Sequence, residues 1–279
     1  MHNIAMTWQQ AAAFALGLLV LAAFLHQSPL TRLRAVSPFA REAGVIAGLY
    51  ALWQLAGSLS VLGTTGAFER ARWIERTEQG WGLPSEAKVQ HLISGHPIIV
   101  QACNLYYATM HFGGLFVFLI WLFIRHRAAY ATIRLTLALS TLICLLIQLI
   151  PVAPPRLLPG FTDTARQYGQ SVYSLGLAPD ELSAMPSVHV AWAVLVGWAV
   201  VRASTSRWRW AALAHPVLTI FAITATANHF WLDGVVAIAV LAACVWAQRG
   251  SVRLMVAWRA RAQQQPTPDP LIQAGAVAE

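Results

Sequence analysis

Three short stretches hold the residue types from which a reaction could be assembled. In Asn228-His229-Phe230-Trp231-Leu232-Asp233, an aspartate follows a histidine by four positions, so a helix puts both on one face. A carboxylate bonded to one imidazole nitrogen fixes the tautomer and leaves the other nitrogen basic and nucleophilic. Asn228 stands where it can cap that helix. In Ala184-Met185-Pro186-Ser187-Val188-His189, Ser187 reads as the N-cap of a following helix. His189 then falls in the first turn, where free backbone N–H groups and the helix dipole favour an anion. In Pro151-Val152-Ala153-Pro154-Pro155-Arg156-Leu157, the prolines end a helix and stiffen the chain beyond it. That loop presents Arg156 at the membrane interface, and a planar guanidinium suits a phosphate. Each stretch alone has a plainer reading: a structural His–Asp pair, a satisfied interfacial histidine, or a snorkelling arginine. Together they offer a nucleophile, an acid/base and an anion clamp, the parts needed for phosphoryl transfer.

The elements that must position these residues are read from composition. The chain has 279 residues, 57% of them hydrophobic and 11% charged, with a mean hydropathy of +0.56. Soluble domains carry about 25% charged residues, so disorder, a coiled coil and a conventional cytosolic enzyme are excluded. Apolar segments lie at about 8–26, 43–65, 97–124, 131–152, 185–202, 208–227 and 229–247. A bilayer-spanning helix needs roughly 20 apolar residues. The expected fold is therefore an all-α polytopic membrane helix bundle of about seven spans, within six to eight. A tight reversal is required at Asn228-His229. Met1 to Gln10 holds no Lys or Arg, so the first apolar segment is expected to be a retained span and not a cleaved signal. The expected organisation is N-terminal spans over 1–66, an outward-facing interfacial segment over 67–96, a catalytic helix bundle over 97–248, and a partly disordered cytoplasmic tail over 249–279.

Charge assigns the sides. Most of the 19 Lys and Arg residues fall in one set of loops, around Arg32, Arg34, Arg41, Arg125, Arg127, Arg134, Arg202, Arg207, Arg209 and the tail. The positive-inside rule puts that set in the cytoplasm. The three stretches with chemistry then face a periplasm or the cell exterior, and the protein is expected in the cell membrane. The net charge of +8 is accounted for by these loops, and no basic run interleaved with aromatics suggests nucleic acid. Within 67–79, Phe68, Ala71 and Ile74 recur at spacing three among charged residues, the pattern of a short helix lying on the membrane surface. Cys103, Cys144 and Cys244 lie in apolar segments and read as small core residues without a disulfide or metal pattern. His111 lies within an apolar segment, where a helix-to-helix hydrogen bond is the plainer reading.

At this point the sequence resembles the type 2 phosphatidic acid phosphatase superfamily. Pro186-Ser187-Val188-His189 is similar to its Pro-Ser-Gly-His motif, and Asn228-His229 through Asp233 is similar to the end of its His-x3-Asp motif. Ala153-Pro154-Pro155-Arg156 and Asn104-x-x-Tyr107-x3-His111-Phe112 look closer to the branch holding inositol phosphorylceramide synthases and actinobacterial membrane homologues. The resemblance covers roughly residues 70–248. It implies a phosphohistidine mechanism without metal or other cofactor. His229 would attack phosphorus aided by Asp233, and His189 would protonate the leaving alcohol. Arg156, the backbone near Ser187, and Asn228 would hold the phosphate. The sequence departs from the family pattern in three places. Val188 replaces the motif glycine, Ile223 the arginine six residues before His229, and Leu149 the lysine seven residues before Arg156. Arg166 is assigned as a replacement cation. These departures weigh toward the head-group-transferase branch or an unusual substrate.

On the matching motifs the expected activity is a lipid-phosphate phosphatase, with a membrane lipid phosphate as substrate and the bilayer as partner. Three readings stand beside it. One is a head-group phosphotransferase of the inositol phosphorylceramide synthase type. The second, of another class, is a membrane transporter with a polar path past His189, His229, Asp233 and Arg156. The third is a metal site of two histidines and one carboxylate. The oligomeric state is not legible in the sequence.

Overall fold

A computed structural model describes residues 6–60, 64–173 and 181–264. Among the described residues the fold is all-α: ten helices, two 3₁₀ turns, and one isolated bridge between Val152 and Ser183. Helices α1 (Trp8–Gln27) and α2 (Thr31–Ser60) form a hairpin. Thr7 and Gln10 close a capping box on α1. Two shorter helices follow, α3 (Ala67–Gly80) and α4 (Glu86–Ser94). Then come the long α5 (Pro97–Arg125) and α6 (Arg127–Gln148), the single turn α7 (Thr164–Gln167), α8 (Val188–Ala203), α9 (Ala214–Ala225) and α10 (Trp231–Gln264). The chain divides into two units, Met1–Leu241 and Ala242–Glu279.

Among the described residues four helices are long and apolar enough to cross a bilayer: α1, α5, α6 and Trp231–Met255 of α10. The apolar α8 is shorter, with 16 residues. This is a multi-pass membrane architecture, but it does not carry the count to the expected seven. Helix α9 has 12 residues, about 18 Å at 1.5 Å per residue against a hydrocarbon core of roughly 30 Å. Helix α2 is long, but its first half carries Arg32, Arg34, Arg41 and Glu42. Large apolar side chains such as Phe14, Phe24, Ile98, Val117 and Ile124 are exposed on the outside, while Asn104, Ser140, Thr224 and Asp233 are buried. That inversion of the soluble pattern is what a surface covered by lipid chains requires.

The main core joins α5, α6, α8 and α9 with the first turns of α10 through Leu115, Leu122, Leu137, Val190, Leu195, Ile223 and Leu241. Gly197 lets α8 approach the start of α9. A Cβ there would lie 3.2 Å from the Ala212 carbonyl oxygen and 3.3 Å from the Pro216 ring. Glu42 of α2 forms ion pairs with Arg41 and with Arg134 of α6. Between the hairpin and α5–α6 lies a cavity of about 600 Å³, apolar except near Glu42, Tyr50 and Tyr130.

Helix α3 forms where expected but turns a different face inward. Its buried stripe is Ala67, Ala71, Ile74 and Glu78, and Phe68 points outward. A 3.6-residue repeat aligns 67, 71, 74 and 78, so the spacing-three reading is corrected by one helical position. The stripe packs on Val152, Leu158, Ala184, Phe230 and Leu232. Helix α3 is therefore seated on the segments that carry the three chemical stretches.

Candidate active site

A turn over 226–230 joins α9 to α10 at the place where the sequence expects a reversal. Ala227 takes a left-handed conformation at φ 53°, which costs a non-glycine residue about 1–2 kcal/mol. Asn228 N–H donates back to the Ile223 carbonyl at 2.8 Å, and Thr226 Oγ1 to the Ala222 carbonyl at 2.6 Å. The Asn228 amide donates to Thr226 Oγ1 at 2.7 Å. It braces the turn, and the expected capping role passes to other residues. His229 precedes the helix, which begins at Trp231, so His229 and Asp233 do not share a helix face. They meet because Asp233 folds back as a cap. Its Oδ2 accepts from Phe230 N–H at 2.9 Å and lies 3.2 Å from His229 Nδ1.

The same Nδ1 lies 2.8 Å from the Ala184 carbonyl oxygen. A carbonyl only accepts, so Nδ1 carries the proton and Nε2 keeps its lone pair. Nε2 is buried without a hydrogen-bond partner. This nitrogen is chemically free, and Asp233 Oδ1 of the same pair is likewise buried without a partner.

His189 sits in the first turn of α8. Ser187 is the N-cap, its Oγ accepting from Val190 N–H at 3.4 Å. Ser187 N–H donates to the Asp233 carbonyl at 3.0 Å, tying the start of α8 to the start of α10. The His189 and His229 ring centroids are 5.6 Å apart. His189 stacks on Tyr107 at 4.3 Å and lies 3.9 Å from the His111 ring. His111 in turn stacks on Trp192 at 4.3 Å. The expected hydrogen bond of His111 is replaced by this aromatic stack, with its Nδ1 buried and unpartnered. A space of about 10 Å³ beside these rings holds little more than one water.

Arg156 lies in a 3₁₀ turn, Pro155–Leu157, and is 4% exposed, so it is buried and does not snorkel to the interface. Its backbone N–H donates to the Ala227 carbonyl at 2.8 Å, which fixes the loop two residues from His229. Its guanidinium lies over the Tyr173 ring at 4.8 Å, and the Tyr173 and Tyr107 hydroxyls are 3.3 Å apart. Glu181 accepts from Arg156 Nη2 at 2.8 Å and from Arg166 Nη2 at 3.0 Å. Asp163 pairs with both arginines at 3.4 and 3.6 Å. Arg166 is thereby brought to Arg156 through shared carboxylates. Arg156 Nη1 is buried with no partner.

Sequence reasoning missed several residues of this region. Glu181 and Asp163 are loop acids whose role appears only once they reach the arginines. Glu78 and Glu86 accept from the N–H groups of Leu232 and Trp231, at 2.6 and 3.3 Å. The available signal was the place of Glu78 one turn beyond Ile74 on the buried stripe of α3. Among the described residues no three His, Cys, Asp or Glu side chains group as metal ligands.

A family model described as the PAP2 superfamily matches residues 72–247. That range takes in both histidine motifs, Arg156 and Arg166. No curated protein and no solved structure gives a significant match.

Proposed function

The chain belongs to the PAP2 superfamily, and from that premise we propose that it is an integral membrane lipid-phosphate phosphatase working through a phosphohistidine. The superfamily consists of metal-independent phosphatases, which supports an enzyme with a phosphate-ester substrate. The observation that carries the mechanism is the bare Nε2 of His229, with Nδ1 held by Ala184 and Asp233 and the His189 ring 5.6 Å away.

In this reading His229 Nε2 attacks phosphorus while the ester P–O bond breaks. The imidazolium that forms is stabilised by Asp233, and His189 gives its proton to the departing alkoxide. Water deprotonated by His189 then attacks the phosphohistidine, breaking the N–P bond and releasing phosphate. The free Nη1 of Arg156 and Arg166 hold the non-bridging oxygens, with Asn228 bracing the turn and Ser187 the start of α8. The distribution of Lys and Arg supports a site facing the periplasm or exterior. The apolar cavity of about 600 Å³ is of a size with ligand sites of roughly 300–1,000 Å³. It supports a hydrocarbon chain as the rest of the substrate, because Phe112 lines it and also packs on His111 at 4.6 Å.

A second reading, head-group transfer to another alcohol, is favoured by two apolar residues where the family pattern has cations. Ile223 is buried and Leu149 is 43% exposed. The chemistry is shared and only the acceptor differs. Purified protein in detergent with a panel of lipid phosphates and a chelator is expected to release phosphate, and His229→Ala to abolish the release. Turnover surviving that substitution ends the proposal. Product that forms only with an added alcohol, with little free phosphate, selects the transferase.

A further inference from the structure

Helix α10 begins with backbone N–H groups that no carbonyl of the helix itself can satisfy. Ordinarily a side chain at the N-cap takes one of them. Here three carboxyl groups divide the work. Asp233 takes Phe230 N–H at 2.9 Å, Glu86 takes Trp231 N–H at 3.3 Å, and Glu78 takes Leu232 N–H at 2.6 Å. Glu78 and Glu86 come from α3 and α4, far upstream, and each is 2% exposed. The loop joining them is fastened to the same turn, for Trp231 Nε1–H donates to the Pro84 carbonyl at 2.8 Å. The Leu83 N–H closes that loop on the Glu78 carbonyl at 3.0 Å.

We infer that Glu78 and Glu86 form a clamp of two buried carboxyl groups that positions the His229–Asp233 turn from the α3–α4 segment. They touch backbone beside the pair and not the reacting atoms, so they are positioning residues. Three buried carboxylates in one place are untenable without a proton, because burial and like charge both penalise ionisation. The charged groups that act on Glu78 are Glu86 of α4 and Asp233 of α10, both acidic. Glu75, one turn back on α3, also faces Glu86, whose charge adds to burial in raising its pKa. His229 faces Asp233, and Lys88 on α4 is exposed.

Burial first, and then the neighbouring Glu86 carboxyl, push Glu78 up to about 9 against the opposing hydrogen bond from Leu232 N–H. Glu78 is therefore the protonated partner at neutral pH. Its Oε1 serves Leu232, and its Oε2 is buried without a hydrogen-bond partner, the oxygen left for the proton. The sign of the linkage follows. A carboxyl raised above its ordinary 4.5 favours folding fully below that value, and the contribution is lost as pH rises toward about 9. Above it the proton leaves, and Glu78, Glu86 and Asp233 repel one another at the helix start.

The test has one arm that needs no substrate. Amide hydrogen exchange of the peptide spanning 226–236, in full-length protein in detergent and corrected for the intrinsic rate at each pH, should lose protection through about pH 9. Glu78→Gln should remove that transition and raise the thermal midpoint at pH 8 above wild type, since the amide keeps an acceptor for Leu232. Glu86→Gln should move the transition down by about one pH unit or more, because the neighbouring negative charge that raises Glu78 is gone. Superimposable profiles for wild type and both variants overturn the clamp. The kinetic arm rests on the proposed phosphatase reading. There the alkaline fall of kcat should move up in Glu78→Gln, with KM little affected. If no lipid phosphate is turned over, the functional reading fails while the exchange profiles still decide the clamp.

Discussion

At His229 the decisive feature is which nitrogen carries the proton. The Ala184 carbonyl settles the tautomer, and Asp233 adds charge to it. Asp233→Asn keeps an oxygen for Phe230 N–H but removes the negative charge that steadies an imidazolium. We expect kcat for lipid-phosphate hydrolysis to fall about 10²-fold or more, with less loss of folding than in Asp233→Ala. Steady-state rates together with thermal unfolding in detergent would separate the two effects. Glu181 poses the opposite case. Its carboxylate already occupies Nη2 of Arg156 and of Arg166, so in the proposed reading it competes with a phosphate for part of both guanidinium groups. Glu181→Gln should lower KM several-fold and strengthen inhibition by inorganic phosphate. An unchanged or raised KM would mean that Glu181 only orients the arginines.

Among the elements, α8 and α10 start beside each other and each start needs a cap. Ser187 supplies the α8 cap through its hydroxyl, whereas its contact with Asp233 runs through the backbone. Ser187→Ala should therefore cost about 1 kcal/mol of stability, read as a lower thermal midpoint. The hairpin of α1 and α2 lies outside the region matched by the family and forms one wall of the apolar cavity. If a hydrocarbon chain lies there, Ile46→Trp should raise KM for a long-chain lipid phosphate far more than for a short-chain ester. Equal effects on both would remove the cavity from the substrate's path.

For the molecule as a whole, orientation decides which leaflet supplies substrate. Trp81 is 66% exposed in the loop between α3 and α4, and the native Cys103, Cys144 and Cys244 are buried. Trp81→Cys should therefore react with a membrane-impermeant maleimide added to intact cells, while wild type does not. Labelling only after the membrane is broken would reverse the assigned sides and place the chemistry in the cytoplasm.

The amino-acid order by itself determined the class of the molecule and its all-α character. Bilayer-spanning helices need long apolar runs, and such runs are visible without coordinates. It also marked His189, His229, Asp233 and Arg156, because polar residues at a proline-rich or capped end of an apolar segment need a reason. Spacing could not say that His229 stands before its helix, that Asp233 reaches it by folding back, or that Asn228 braces a turn. It could not place Glu181 between two arginines, set His111 against His189, or bring Glu78 and Glu86 to a helix that starts more than a hundred residues later. Periodicity reports which face of an element is apolar. Which donor finds which acceptor depends on long-range packing of elements, and only the tertiary structure decides that.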